Sequence, residues 1–137
     1  GRPRVDFRTD PIGIYAFRSP ATYGAIWRPT QRKSTGLSLS SSGKLSLVFD
    51  LAERARLTLH LRHRALRSFV LGSAPISVSV DQKKRIAGWQ PPLSHYDNEA
   101  LDLGVVDGGE HTLILEVDER SATHYSVLTL KVEARQP

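Results

Sequence analysis

Trp27 and Trp89 are the only tryptophans of the chain, and each runs into a proline-containing stretch: Trp27-Arg28-Pro29 and Trp89-Gln90-Pro91-Pro92. The second continues Ser94-His95-Tyr96-Asp97-Asn98-Glu99, so an aromatic ring and several hydrogen-bonding groups share one short segment. A flat ring offers a stacking platform to the C–H face of a sugar, and amides, carboxylates or guanidinium groups beside it bond the hydroxyls. The expected contacts are stacking on Trp27, Trp89 and Tyr96, with Arg28, His95 and Asn98 bonding hydroxyls. Tyr23 and Tyr125, the latter beside His124, are weaker candidates. The competing explanation is that each tryptophan plugs one end of a β-sandwich, where a large ring buries much of its surface.

A second constellation is cationic. Arg54, Arg56, His60, Arg62 and Arg64 share one parity, while Leu57, Leu59 and Leu61 hold the other. On an extended strand, same-face residues lie about 6.6 to 6.8 Å apart, which makes a positive row about 30 Å long. Such a row can grip an anionic glycan, a phosphate backbone or an acidic protein. It can equally be a solvated outer face paired with acids on neighbouring strands, for which Asp50 and Glu116 are candidates. Nucleic acid is the least favoured partner, because the row lacks interleaved aromatics for base stacking. The whole chain carries 19 Lys and Arg against 14 Asp and Glu, a net charge of +5, which fits either reading.

Metal and catalytic chemistry find little support. His60 and His63 fall on opposite faces of one strand, so they cannot share a metal there, and His63 is expected in the core as a neutral imidazole. His95, His111 and His124 read as lying in or beside turns, without the paired spacing of a zinc site. No Gly-x-Ser-x-Gly nucleophile element and no phosphate-cradling glycine loop occur. Asp97, Glu99 and Asp102 could pair as glycosidase carboxylates at any spacing. Even so, the expectation is a binding domain with no catalytic residues, no metal and no cofactor.

The elements that must position these groups are strands. Leu45, Leu47, Phe49 and Leu51 alternate with polar residues, as do Leu57–Leu61, Ile76–Val80, Leu113–Val117 and the set Leu128, Leu130, Val132. Period-2 alternation puts one row on a core face and the other in solvent. Ser41-Ser42-Gly43 reads as a hairpin turn, Val80-Asp81-Gln82-Lys83-Lys84 as a short turn between strands and Asp107-Gly108-Gly109 as a tight turn before a strand. About eight to ten strands result, which predicts a sandwich or barrel. Residues 19–33 and 90–99 read as irregular. No repeat or linker divides residues 1–137, so one domain is expected. No apolar run approaches the roughly 18 residues of a membrane-spanning helix. The chain starts Gly1-Arg2-Pro3-Arg4 and contains no Met, which suggests a mature product or a module excised from a larger protein. With no Cys, disulfides and thiolate metal sites are excluded, but the compartment is left open.

From about Leu37 onwards the order of elements resembles the galactose-binding-like jelly rolls, the fold of many carbohydrate-binding modules. Leu101-Asp102-Leu103-Gly104, leading through Asp107-Gly108-Gly109-Glu110-His111-Thr112 to Leu113-Ile114-Leu115, is similar to their turn and re-entering strand. Residues 127–133 then supply the last strand. Ile76-Ser77-Val78-Ser79-Val80-Asp81-Gln82-Lys83 resembles a second element of that group, with Gln82 where Gly is usual. The resemblance implies an all-β, two-sheet antiparallel jelly-roll sandwich and a non-catalytic module that binds a polysaccharide or oligosaccharide, an anionic glycan included. It also implies a secreted or cell-surface setting, with a cytoplasmic one still open. The alternative is a protein-interaction or assembly module that offers its basic strand to an acidic protein or a neighbouring domain. Modules of the group often hold calcium near an acidic first strand. Here that region is rich in Arg2, Arg4 and Arg8, and no calcium site is carried over.

Overall fold

Strong alternation in the sequence becomes strand. In the computed structural model, Ala55–Ala65 is one extended element whose leucines and His63 are buried and whose Arg, Thr58 and His60 side chains are partly exposed, residue by residue. The structure describes residues 4–6, 12–18, 22–29, 37–39, 41–66, 74–121 and 123–137, with side chains from residue 38 onwards. Among the described residues the strands are β1 (Arg4–Asp6), β2 (Ile12–Arg18), β3 (Thr22–Pro29), β4 (Leu37–Leu39), β5 (Lys44–Leu51) and β6 (Ala55–Ala65). They continue as β7 (Ile76–Val80), β8 (Lys83–Trp89), β9 (Asp97–Val106), β10 (Gly109–Val117) and β11 (Tyr125–Arg135).

These strands form two antiparallel sheets. The first runs β1-β5-β10-β7-β8, and the second runs β2-β3-β11-β6-β9, with β4 beside β11. Leucines, valines and Ile76 from β5, β7 and β10 meet those of β6, β9 and β11 between the sheets. Each fully buried Leu or Val contributes on the order of 1.5–3 kcal/mol, so this shared interior dominates stability.

Several expectations change. Ser41-Ser42-Gly43 does not make a hairpin, because β4 pairs with β11 while β5 lies in the other sheet. The segment is a crossover held against the end of β10 by Ser42 N–H to Val117 O (3.1 Å) and Val117 N–H to Gly43 O (2.9 Å). Residues 19–33 are not wholly irregular, since β3 occupies much of them. Gly24 and Ala25 blur its alternation, and Pro29 is tolerated because β11 pairs only as far as Trp27. Leu128 leaves the inner row. A bulge between Val127 and Thr129 switches the parity, so Tyr125 and Val127 face inwards before it and Leu130, Val132 and Ala134 after it. His111 lies within β10 and is mostly buried.

A second bulge sits in β9, where Leu57 pairs with Gly104 and Thr58 with Asp102. Gly104 has φ +83°, and its N–H donates to Asp102 Oδ1 at 2.9 Å. Glycine reaches this backbone conformation without a Cβ penalty.

Candidate functional site

Strand β8 is an edge of the first sheet and β9 an edge of the second. Residues 90–96 cross between them, over the open side of the sandwich. Trp89, the last residue of β8, is 37% exposed, and its indole N–H donates to Glu99 Oε1 at 3.1 Å. The same oxygen lies 2.7 Å from His63 Nε2, and His63 Nδ1 lies 2.7 Å from the Tyr125 hydroxyl. His63 and Tyr125 are fully buried, with their rings edge-on at 5.5 Å.

Protons can be placed on this chain of groups. Burial holds His63 below the ordinary imidazole value, against the opposing hydrogen bond and charge of Glu99 and the charge of Asp97. Burial, reinforced by the Glu99 charge, pushes Tyr125 well above the ordinary phenol value. A neutral His63 then donates from Nε2 to Glu99 and accepts at Nδ1 from the tyrosine O–H, which satisfies every group. Hydroxyl, imidazole and carboxylate stand in the order of a nucleophile line. The Tyr125 hydroxyl, however, is sealed in the core and held protonated. The network fixes the orientation of Trp89 and cannot attack a substrate in solution.

The loop is pinned to the end of β6. Ala65 N–H donates to Pro92 O at 2.8 Å, Ser94 N–H to Ala65 O at 2.9 Å, and Arg64 Nη1 to Ser94 O at 2.9 Å. The Arg64 guanidinium lies 4.4 Å from the Tyr96 ring centroid, and the Tyr96 hydroxyl is 2.6 Å from Ser126 Oγ. Tyr96 is thereby folded back against the second sheet with one ring face covered by a cation. His95 is exposed beside it. Among the described residues the large exposed apolar side chains are Leu66, Trp89 and Leu93, and all three belong to this end of the molecule. Alternation gave no sign of Leu66 or Leu93, because neither belongs to a strand.

The residues expected to bind ligand are not brought into one place. Asn98 points to the outer face of the second sheet, where its Oδ1 lies 3.4 Å from Arg62 Nη1. Glu99 and Trp89 are on the other side of β9. Trp27 and Arg28, expected in a loop, belong to strand β3, opposite Ile14 and Gly13 of β2. Strands β11 and β6 separate them from β9. Their side chains lie outside the described residues, as does all of Tyr23 except its backbone.

The basic row exists, but most of it is matched. Arg56 pairs with Asp102 at 2.9 Å, His60 with Glu133 at 3.3 Å, and Arg54, just outside β6, with Asp107 at 3.9 Å. These acids replace Asp50 and Glu116, which belong to the other sheet, where Glu116 meets Lys44 at 3.9 Å. Burial raises the Glu133 carboxyl, but hydrogen bonds and charges from His60 and Arg135 outweigh it and hold Glu133 below the usual range.

A second histidine network occupies the opposite end. His111 Nδ1 lies 2.5 Å from Asp81 Oδ2, and Nε2 lies 2.6 Å from the Asp107 carbonyl. Burial lowers the affinity of His111 for its proton, yet the bonds and charges of Asp81 and Asp107 outweigh burial and hold it above the ordinary value. Among the described residues no three His, Asp or Glu side chains converge as a metal site requires.

No family model and no curated protein matches the sequence. Solved structures do resemble the fold. A family 35 carbohydrate-binding module (CBM35) from Paenibacillus barcinonensis superposes with a TM-score of 0.51 at 9% identity, over 96% of this chain and 98% of that one. The Agl-KA catalytic domain gives 0.50 at 13% identity, over 96% of this chain but 28% of that one. A family 35 module from Clostridium thermocellum gives 0.48 at 11% identity, over 96% and 98%.

The fold is a galactose-binding-like jelly roll.

In this jelly roll the Asp107-Gly108 connection carries the chain from one sheet to the other. Gly108 allows a close approach there, since a Cβ would stand 3.1 Å from Glu53 Cα in the neighbouring crossover, tighter than most such contacts. The Asp81-Gln82 turn has φ +51° and +68°, the two-residue form in which both residues are left-handed. Gln82 accepts that strain without being glycine, while Asp81 is fixed to β10 through Thr112 (2.8 Å each way).

Proposed function

We propose that this jelly roll is a non-catalytic carbohydrate-binding module whose ligand stacks on Trp89. The observation that carries the reading is a partly exposed indole whose only polar atom is already bonded, to Glu99, at the end where the exposed apolar side chains gather. A ring held in one orientation loses little freedom on binding, and its open face suits the C–H side of a pyranose. His95, at the tip of the same loop, bonds hydroxyls in this reading. Tyr96 contributes by bracing the loop as well as by its remaining ring face. Non-catalytic binding fits a polysaccharide partner and a place outside the cell beside that polymer. The likeness to carbohydrate-binding modules supports the reading at the level of fold.

The test is affinity electrophoresis through gels containing neutral polysaccharides. At least one polymer should retard the wild-type domain and release no reducing ends on incubation. Trp89→Ala should run unretarded there while its melting temperature stays near that of the wild type. Equal retardation of Trp89→Ala, or no retardation by any polymer, defeats the proposal.

A further inference from the structure

The outer face of the second sheet carries a groove that the Trp89 platform does not use. It lies over β9, β6 and β11 and encloses about 360 Å³. Register explains its composition. Arg62 stands between Asn98 and Thr129, and in the next row His60 stands between Ala100 and Lys131. Ala100 is too small to fill its position, which leaves a hollow ringed by cationic and hydrogen-bonding groups.

Arg62 is the member of the basic row that distinguishes this place. Arg54, Arg56 and His60 each face a carboxylate, and Arg64 is taken up by Tyr96 and Ser94. Among the described residues Arg62 reaches only the amide oxygen of Asn98, at a long 3.4 Å. Its guanidinium fork is thus not engaged by any carboxylate among the described residues. Glu99 also borders the groove, but its carboxylate is turned to the other side of β9, to His63 and Trp89. Glu133 lies a row further on, against His60 and Arg135, and its other oxygen stands 3.8 Å from Lys131 Nζ, so Lys131 is a partly matched cation and Arg62 the principal one.

We propose that this groove is an anion site, in which Arg62 binds the carboxylate or sulfate of an acidic polysaccharide, with Lys131 adding charge and Asn98 and Thr129 bonding hydroxyls. A planar fork matches a two-oxygen anion, and partial enclosure by the sheet strengthens the pairing over its value in open solvent. The amide and hydroxyl groups beside the cations suit a sugar. The described lining holds no Trp, Tyr or Phe ring on which a run of nucleobases could stack. The site stands on residues other than Trp89 and does not depend on stacking there.

Calorimetric titration decides it. The probes are an oligogalacturonate, a sulfated oligosaccharide, a neutral oligosaccharide of the same length, and single-stranded DNA. At least one acidic oligosaccharide should bind, more tightly than the neutral one and the DNA, and more weakly as salt rises. Which of the two binds tells carboxylate from sulfate. Arg62→Ala and Arg62→Gln should each weaken that binding about ten- to a hundredfold, Lys131→Ala less, with Arg62→Lys intermediate. Lys44→Ala, a loss of positive charge on the other sheet, should leave it unchanged. Binding that survives both Arg62 changes, matches the neutral oligosaccharide, or is exceeded by DNA overturns the groove as a glycan anion site. Loss on Trp89→Ala with Arg62→Ala intact overturns the groove and leaves the Trp89 proposal standing.

Discussion

His63 and His111 each bond a carboxylate through one ring nitrogen, and each lies deep in the sandwich, yet their proton affinities move in opposite directions. The second nitrogen explains the contrast. At His63 it faces a hydroxyl, which can donate, so the neutral ring is fully satisfied. At His111 it faces a backbone carbonyl, which can only accept, so both nitrogens must donate and the charged ring is favoured. Burial acts in the same sense on both and prevails at His63, which has no exposed surface. Proximity of a carboxylate therefore does not decide the charge of a histidine; the full set of donors and acceptors around it does.

Removal of each ring should break the pair apart most visibly. His63→Leu strands a buried tyrosine hydroxyl and removes the partner of Glu99, at a cost of about 2–4 kcal/mol by urea denaturation. His111→Leu should cost about 1 kcal/mol, because the Asp81 carboxylate it leaves is half open to water. Equal losses would contradict the contrast. Acidity offers a second handle. A lowered histidine contributes stability that is present above the unfolded value near 6.5 and lost as pH falls through the folded one, which is the case for His63. A raised histidine contributes stability that is present below about 6.5 and lost as pH rises through its folded value, which is the case for His111. The two should partly offset one another in the wild type. In His111→Gln the offset is gone, and urea midpoints measured from pH 7.5 to pH 5 should fall more steeply than in the wild type. A parallel profile would place the protonation elsewhere. The smallest effect is expected beside His111, at the turn that carries Asp81. Gln82→Gly should stabilise by about 0.5–1 kcal/mol, seen as a modest rise in melting temperature, because Gly adopts φ +68° without a Cβ clash.

Much of the fold could be read from the sequence because β5, β6, β7 and β10 alternate without interruption. What escaped was everything that depends on which strand lies beside which. Ser41-Ser42-Gly43 has hairpin chemistry and still crosses between sheets, since its two flanking strands find different partners. Leu128 follows its pattern in sequence and leaves it in space because a bulge intervenes. Asp102 and Glu133 neutralise the basic row although 46 and 73 residues separate them from Arg56 and His60. The candidate site fared similarly. The loop after Trp89 was legible from its composition. That Asn98 and Trp89 would fall on opposite sides of β9 is a matter of parity at the strand's first residues, where the alternation has not begun. His63 was placed in the core by its parity with Leu57, Leu59 and Leu61, but its partners Glu99 and Tyr125 come from two other strands.

The order of strands also has a consequence in time. The last two strands of the chain are not edges: β10 lies between β5 and β7, and β11 between β3 and β6. During synthesis from the N-terminus, both sheets therefore lack their middle until the final stretch has emerged. The earlier strands can pair only in fragments, with apolar faces open to water and to one another. Neither layer is continuous before β10 and β11 are in place, so closure of the domain is a late event that joins both layers together.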